Sequence, residues 1–491
     1  MKTSVKSSKW TKIDAEAVVF FVSQDHWQKE IAEVGSVLGK HLIEFAEQDG
    51  FSAKLGEHYA IPANGKLPFR SIVLIGLGKQ GEVTSDRLRK AAAQVARYAK
   101  TTKKKTVALE LSNGIAAHIH AEVIGQAIAE GIHLGAYQFN KYQKNTPSSV
   151  LEKVFVLVNP AKLVNMVNGI SYGEIFAEGT MYARDLVNEP ARVITPSYLA
   201  AQAKQLVKSG IKVTILDKKE IAKLGMGAYL SVTQGSDEAP KFIKLEYRGG
   251  RRKIVLAGKA ITFDTGGHSL KSSQGMETMK IDMAGGASVL GVFKALPKLK
   301  PKVTVIGLIA ACENMVGPKA TKPGDIVTAM NGKTIEVLNT DAEGRLTLAD
   351  VLSYAVQEKP DAMVDLATLT GACVAALGEE IAGLFANNED LAKKILTAGN
   401  ETGEKIWQLP LERDYKPLLK SDIADLRNIA KSRYGGAITA ALFLEEFVGN
   451  VPWVHIDIAG PSYWEKDTSL IARGASGFGV RTILNWLKDL Q

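Results

Sequence analysis

The sequence predicts an α/β fold in two domains, a smaller N-terminal one and a larger C-terminal one built on a central, mostly parallel sheet flanked by helices. Three observations carry this. Apolar strand-like runs alternate with helix-period segments along the whole chain. The 491 residues exceed one ordinary domain of about 150 residues. A helical stretch ending at the turn signal Asn188, Glu189, Pro190 divides the chain. In the first third, Ala17–Val22, Ser71–Ile75, Thr106–Leu111 and Val154–Val158 read as strands, and Ser85–Lys100 and Ala117–Gly131 as helices. Residues 161–169 and 172–186 read as a helical connection. Beyond it, Lys212–Leu216, Lys253–Leu256, Val303–Ala310, Asp361–Leu366 and Trp453–Ile458 are strand candidates with helical segments between several of them. The expected division is 1–160, a linker at 161–189, and 190–491.

Composition narrows the function classes. With 46% hydrophobic and 23% charged residues, 45 Gly and only 16 Pro, the chain is neither disordered nor collagenous. Two cysteines, Cys312 and Cys373, exclude a disulfide framework and a Cys-rich zinc site. A metal would therefore need oxygen or nitrogen ligands. The apolar stretch Val18–Val22 is too short for a signal peptide, and no segment reaches the roughly 18 apolar residues of a membrane span, so a cytoplasmic location with no membrane partner is expected. Residues 1–160 carry 21 Lys and Arg against 15 Asp and Glu. The densest part, Arg87, Arg89, Lys90, Arg97, Lys100 and Lys103 to Lys105, suits either a polyanion such as nucleic acid or an ordinary solvated helix face.

One motif misleads. Gly76, Gly78 and Gly81 form a G-x-G-x-x-G after a strand, the letter pattern of a dinucleotide site. Glu82, Val83 and Thr84 then delay the helix, so its N-terminus would miss a pyrophosphate, and the acid that ends the next strand, Glu110, falls too far along.

The chemistry concentrates between Lys253 and Asp350. A lysine and an acid, Lys259 and Asp264, sit where a strand is expected to give way to a Gly-rich loop, and Lys271, Asp282 and the run Asn339 to Leu346 follow. In open α/β sheets such strand ends are where ligands bind. Asp264, Asp282, Asp341 and Glu343 would repel one another if gathered without a cation. Asp341 and Glu343, spaced i, i+2, would point the same way on extended chain. Oxygen ligation suits Mg²⁺ or Mn²⁺, and Zn²⁺ also accepts carboxylates. Taken singly, each acid reads as a surface or capping residue and Lys259 as a solvated cation; only the combination points to metal.

The octapeptide NTDAEGRL, Asn339 to Leu346, resembles the signature of the leucyl (cytosol) aminopeptidases, a family of two-metal exopeptidases. GKAITFDTGG (258–267), METMKIDMAGG (276–286), ENMVGPKATKPGDIV (313–327), DLATLTGACV (365–374) and HIDIAG (455–460) resemble further blocks of that family in the same order. The resemblance covers about residues 180–491 and implies that this larger domain is catalytic.

By that resemblance, Lys259, Asp264, Asp282, Asp341 and Glu343 hold two divalent ions, Mn²⁺ or Zn²⁺ with Mg²⁺ or Co²⁺ as alternatives, and Asp264 and Glu343 bridge them. It implies Lys271 as the donor to a developing oxyanion and Arg345 as the anchor of a bicarbonate that moves protons. Met279, Thr368 and Gly371 would form the pocket for a first residue such as Leu or Met, with Asn339 nearby on the substrate side. It also implies peptide substrates and a homohexamer of two stacked trimers. As alternatives, Arg345 could pair with Asp341 or Glu343, and Met279 could be core filler. Three residues depart from the family pattern on or beside the same loop: Ala260 for a common Gly, His268 for a common Ile, and Ser272 for a usual Pro. A DNA-binding role for the basic N-terminal run is the competing class, because some relatives bind DNA; no base-reading motif accompanies it.

Overall fold

The computed structural model describes residues 1–111, 117–144 and 150–490. It divides into two compact units, Met1–Ala177 with Lys466–Arg473, and Glu178–Glu465 with Gly474–Gln491. The expected linker is one continuous helix, Leu163–Asn188, within which the division falls, and residues 466–473 group with the N-terminal unit.

The N-terminal unit is a six-stranded sheet of β1 (Lys2–Lys6), β2 (Ala17–Val22), β3 (His58–Pro62), β4 (Ser71–Gly76), β5 (Thr106–Leu111) and β6 (Lys153–Leu157), in the order β1-β6-β5-β2-β4-β3. Only the β3–β4 edge pair is antiparallel. The sequence AVVFFV of β2 is buried throughout because both faces are covered. Val19 and Phe21 pack among residues of the helices Ser85–Thr101 and Ala121–Ala136, while Val18, Phe20 and Val22 pack with Trp10, Trp27 and Phe51. The helix expected from Ala117 opens at Ala121.

After β4 a short turn of 3₁₀ helix, Gln80–Glu82, precedes the helix at Ser85, whose N-cap Thr84 accepts from the Arg87 N–H. The glycine motif thus lacks the immediate helix start that a dinucleotide site uses. Half of the basic run is engaged in ion pairs. Arg89 is buried against Glu130 at 2.6 Å, Arg87 pairs with Glu82 and Lys90 with Asp86, both at 2.7 Å, and Lys105 lies 3.1 Å from Glu152.

The C-terminal unit has an eight-stranded sheet whose strands include β7 (Lys212–Leu216), β8 (Lys241–Arg248), β9 (Lys253–Asp264) and β10 (Thr304–Asn314). A separate small sheet contains β11 (Asp325–Thr328) and β12 (Thr334–Val337). The main sheet continues with β13 (Ala362–Ala367), β14 (Ala382–Ala386) and β15 (Ile406–Gln408). β16 (Leu426–Arg427) joins the small sheet, and β17 (Trp453–Asp457) returns to the large one.

The large sheet runs β15-β14-β17-β13-β9-β10-β8-β7. Its centre, β17-β13-β9-β10, is parallel, and antiparallel pairs flank it. β8 and β9 are joined by only four residues but do not pair, because β10 lies between them. β9 extends to Asp264, eight residues beyond the expected end, so Lys259 lies inside a strand. Strand alternation puts Lys259 on the face of Val255, Ala257 and Ile261, which belong to the same core as Leu346, Leu348 and Leu352 of the helix Gly344–Gln357.

Candidate metal centre

The carboxyl ends of the parallel strands converge on one cluster. Asp264 ends β9, Asn314 ends β10, Thr368 follows β13 and Asp457 ends β17. This is the edge where open α/β sheets place their ligands. Asp282 arrives from a different direction, just before the helix Ala284–Leu299. A Cβ on Gly285 would stand 2.0 Å from the carbonyl oxygen of Leu366, so only glycine lets that helix start against the sheet. The backbone carbonyl of Asp282 also accepts the Ile261 N–H at 3.1 Å.

Asp341 and Glu343 do not lie on extended chain. The Ala342 N–H closes a turn on the Asn339 carbonyl at 3.2 Å, and Glu343 has helical dihedrals as the N-cap of the following helix. The turn still brings the two acids together: oxygens of Asp264, Asp341 and Glu343 all lie within 4.8 Å of one another.

Two lysines enter this cluster. Lys259 Nζ lies 2.8 Å from Asp282 Oδ1 and 2.8 Å from Glu343 Oε1, and donates to the Thr368 carbonyl at 3.0 Å. Lys271 Nζ lies 2.8 Å from Asp264 Oδ2 and also contacts Asp341 Oδ1. Burial alone disfavours charge on either amine, but the carboxylates outweigh it and raise both above the ordinary lysine range, chiefly Asp282 and Glu343 for Lys259 and Asp264 for Lys271. Burial pushes Asp264, Asp282 and Asp341 upward, Asp282 the furthest. The cluster is thus a concentration of acid whose charge two lysines only partly balance.

Asp282 Oδ2 and Glu343 Oε2 are buried without a hydrogen-bond partner. Unpartnered buried carboxylate oxygens are costly, and a cation answers that need. The oxygen-rich set of Asp264, Asp341 and Glu343 fits hard or borderline divalent ions.

Arg345 is buried beside the acids. Burial lowers its guanidinium to about 10. Its Nη1 donates to the Asn428 carbonyl at 2.7 Å, while Nε is buried with no hydrogen-bond partner. The cations that pair with Asp341 and Glu343 are Lys271 and Lys259, so the alternative of Arg345 as their partner gives way to the lysines.

Of the other expected residues, Thr368 and Asn339 make hydrogen bonds to this cluster. Met279 is half-buried in the 3₁₀ turn Met279–Ile281, just before Asp282. The Thr368 hydroxyl donates to Asp282 Oδ1 at 2.7 Å. Gly371 is exposed at the start of the helix Gly371–Leu377, and the space a Cβ would enter is open. Asn339 Oδ1 accepts the Asp341 N–H at 2.8 Å, so this oxygen shapes the turn.

The departures from the family pattern are accommodated. Ala260 is fully buried in β9, His268 is exposed, and Ser272 caps the short helix Ser273–Met276 by accepting the Gly275 N–H at 3.1 Å.

Sequence reading gave no role to three residues that organise the centre. Asn314 Nδ2 donates to Asp264 Oδ1 at 2.8 Å and to the Thr340 carbonyl at 3.0 Å. Asp457 accepts from the Leu369 N–H at 3.1 Å and the Thr370 hydroxyl at 2.7 Å, fixing the loop that carries Thr368. Asn428 grips the turn around Asp341. Asn314 and Asp457 stand inside recognisable blocks at strand ends, a usable signal; Asn428 has no local one.

Known proteins give this geometry its context. Residues 181–484 match the catalytic domain of the cytosol aminopeptidase family, and residues 17–146 match that family's N-terminal domain. A probable cytosol aminopeptidase of Alkaliphilus metalliredigens is 44% identical over 478 residues, covering 94% of this chain and 95% of that protein. Another from Alkaliphilus oremlandii is 42% identical and covers 100% of both. Among solved structures, a mutant of tomato leucine aminopeptidase is 35% identical with a TM-score of 0.88, covering 99% of this chain and 96% of its own. The bottromycin maturation enzyme BotP in complex with Mn is 34% identical with a TM-score of 0.86, covering 96% and 99%. By both its domains and its full-length relatives, the chain belongs to the cytosol aminopeptidase family and is a metal-dependent aminopeptidase, a hydrolase of peptide bonds.

Proposed function

We propose that Lys259, Asp264, Asp282, Asp341 and Glu343 hold a pair of divalent cations, Mn²⁺ or Zn²⁺ with Mg²⁺ or Co²⁺ as alternatives, and that the enzyme uses them to release N-terminal residues from peptides, large apolar ones such as Leu by preference. The observation that carries this reading is the convergence of Asp264, Asp341 and Glu343 oxygens within 4.8 Å. The similar BotP structure, a complex with Mn, supports the choice of metal. Bound cations there supply an acidified water as nucleophile and polarise the scissile carbonyl.

The chain's own groups do the rest. Lys259 can act as a ligand only after giving up its proton, which Asp282, Glu343 and Asp264 favour keeping; neutralising those acids removes that support. Lys271, 17% exposed at its side chain, holds a positive charge at the edge of the cluster, where an oxyanion would develop. The buried, unpartnered Nε of Arg345 supports its role as the anchor of a bicarbonate, which serves as proton carrier where no histidine among the expected site residues is available. Met279, Thr368 and Gly371 flank the centre as a pocket for the first side chain, and the open space at Gly371 supports room for a large one.

A homohexamer acting in the cytoplasm completes the reading. The name of the relatives supports the location, and among the described residues no helix is long and apolar enough to cross a membrane. The test is hydrolysis of a leucyl anilide after exhaustive chelation and after adding back Mn²⁺, Zn²⁺, Co²⁺ or Mg²⁺ singly. Loss and metal-specific recovery are expected; full activity in the chelated enzyme would exclude the proposed centre. Light scattering on the eluted protein should give the mass of six chains.

A further inference from the structure

Asn428 follows β16 and is completely buried, 0% exposed. The parallel pairing of β12 with β16, extended by its own N–H to the Glu336 carbonyl at 2.9 Å, delivers it beside the turn that follows β12. Its Oδ1 accepts the N–H groups of Leu338 at 2.9 Å and Asn339 at 3.4 Å. Its Nδ2 donates to the carbonyls of Asn339 at 2.7 Å and Ala342 at 3.4 Å. Its backbone carbonyl accepts Arg345 Nη1 at 2.7 Å.

One residue therefore holds both ends of the turn whose middle is Asp341 and, through its main chain, the arginine that follows. Only a primary amide offers an acceptor and two donors from one short planar group. A carboxylate would face the two carbonyls with oxygen, and alanine would leave the four backbone groups of the turn to find other partners.

We infer that Asn428 is a positioning residue of the metal centre, fixing Asp341 and Arg345 in one frame and so setting how tightly the Asp341 carboxylate contributes to cation binding. The inference rests on reading Asp341 as a metal ligand. Partners that orient ligands typically account for about 10- to 100-fold in metal affinity.

The test is a Mn²⁺ titration of the metal-stripped full chain, with free Mn²⁺ followed by electron paramagnetic resonance. Wild type is compared with Asn428→Ala, the isosteric Asn428→Asp, and Ser421→Ala. The last removes a 2.6 Å bond to Glu336 in the same neighbourhood but away from the turn. Melting in chelator reports whether each variant is folded. The weaker Mn²⁺ dissociation constant should rise about 10- to 100-fold in Asn428→Asp, and in Asn428→Ala if that variant folds, and stay within about twofold in Ser421→Ala. A folded Asn428→Asp that binds like wild type overturns the inference, as does an equal loss in Ser421→Ala, which would mark the effect as general loosening. A wild-type chain that binds no Mn²⁺ overturns the metal reading itself, a result separate from the other two.

Discussion

Lys259 Nζ and Glu343 Oε1 stand 2.8 Å apart because the residue after Glu343, the first of the helix Gly344–Gln357, has no side chain. A Cβ on Gly344 would fall 2.4 Å from Lys259 Cε and 2.6 Å from its Nζ. The glycine of NTDAEGRL is thus the port through which a lysine on β9 reaches an acid at the head of the next helix.

Gly344→Ala should consequently act on the site before the fold. The clash meets the far end of a flexible side chain, so the variant should fold while Lys259 is pushed away from Glu343 and Asp282. Leucyl anilide turnover is expected to fall at least about a hundredfold, about 2.7 kcal/mol of transition-state stabilisation, with the melting temperature in chelator close to wild type. Wild-type turnover would show that this lysine's position is dispensable.

Asp341→Asn tests the acid cluster. Burial and the neighbouring Asp264 push the Asp341 carboxyl upward, so its charge is a strain on the chain without a cation. Turnover should drop about a thousandfold, the loss of several kcal/mol that metal chemistry supplies. The melting temperature in chelator should hold or rise. A variant that is active but unstable would reverse the assignment and make Asp341 structural.

Lys271→Ala separates chemistry from binding. If Lys271 faces a developing oxyanion, kcat should fall about 10² to 10³ while KM and Mn²⁺ content change little. A lowered Mn²⁺ content with kcat per bound metal preserved would instead make its contacts with Asp264 and Asp341 its whole contribution.

Gly371→Leu should narrow the space beside the centre. The ratio of kcat/KM for leucyl over alanyl anilide is expected to fall more than about tenfold, the scale on which apolar pockets discriminate. An unchanged ratio would place the first side chain elsewhere.

In the N-terminal unit, burial and the nearby Glu33 raise Glu110 from 4.5 to about 7. A raised carboxyl binds its proton more tightly in the folded chain than in the unfolded one. Its contribution is full below about pH 4.5, is lost between about 4.5 and 7, and changes no further above that. Glu110→Gln, neutral at every pH, should melt with wild type at pH 4 and above it at pH 8. Melting curves across that range decide it: a difference that does not vary with pH would mean that Glu110 is not titrating in that window.

How much of this was legible beforehand differs by element. β2, β5 and β7 lie where apolar runs predict them, since both faces of these segments or their β-branched content announce a strand locally. β9 runs well past its expected end because pairing with β10 continues to Asn314 opposite Asp264, an interaction invisible in a stretch read alone. The same limit explains Asp341 and Glu343. Their i, i+2 spacing suggests a common face on extended chain, yet a turn brings them together. The cationic run also reads differently once Arg89 is found buried on Glu130, 41 residues away.

Residue order alone carries the alternation of strands and helices, the kinds of side chain available for chemistry, and membership of the family through short blocks whose residues are neighbours in the chain. It took the folded chain to show that Lys259 lies within a strand, that Gly344 admits its amine, and that Asn428, 89 residues beyond Asn339, holds the turn bearing Asp341. Propensity and spacing act over a few residues, whereas hydrogen bonds and charges act through space, and which groups meet is settled by strand order and register.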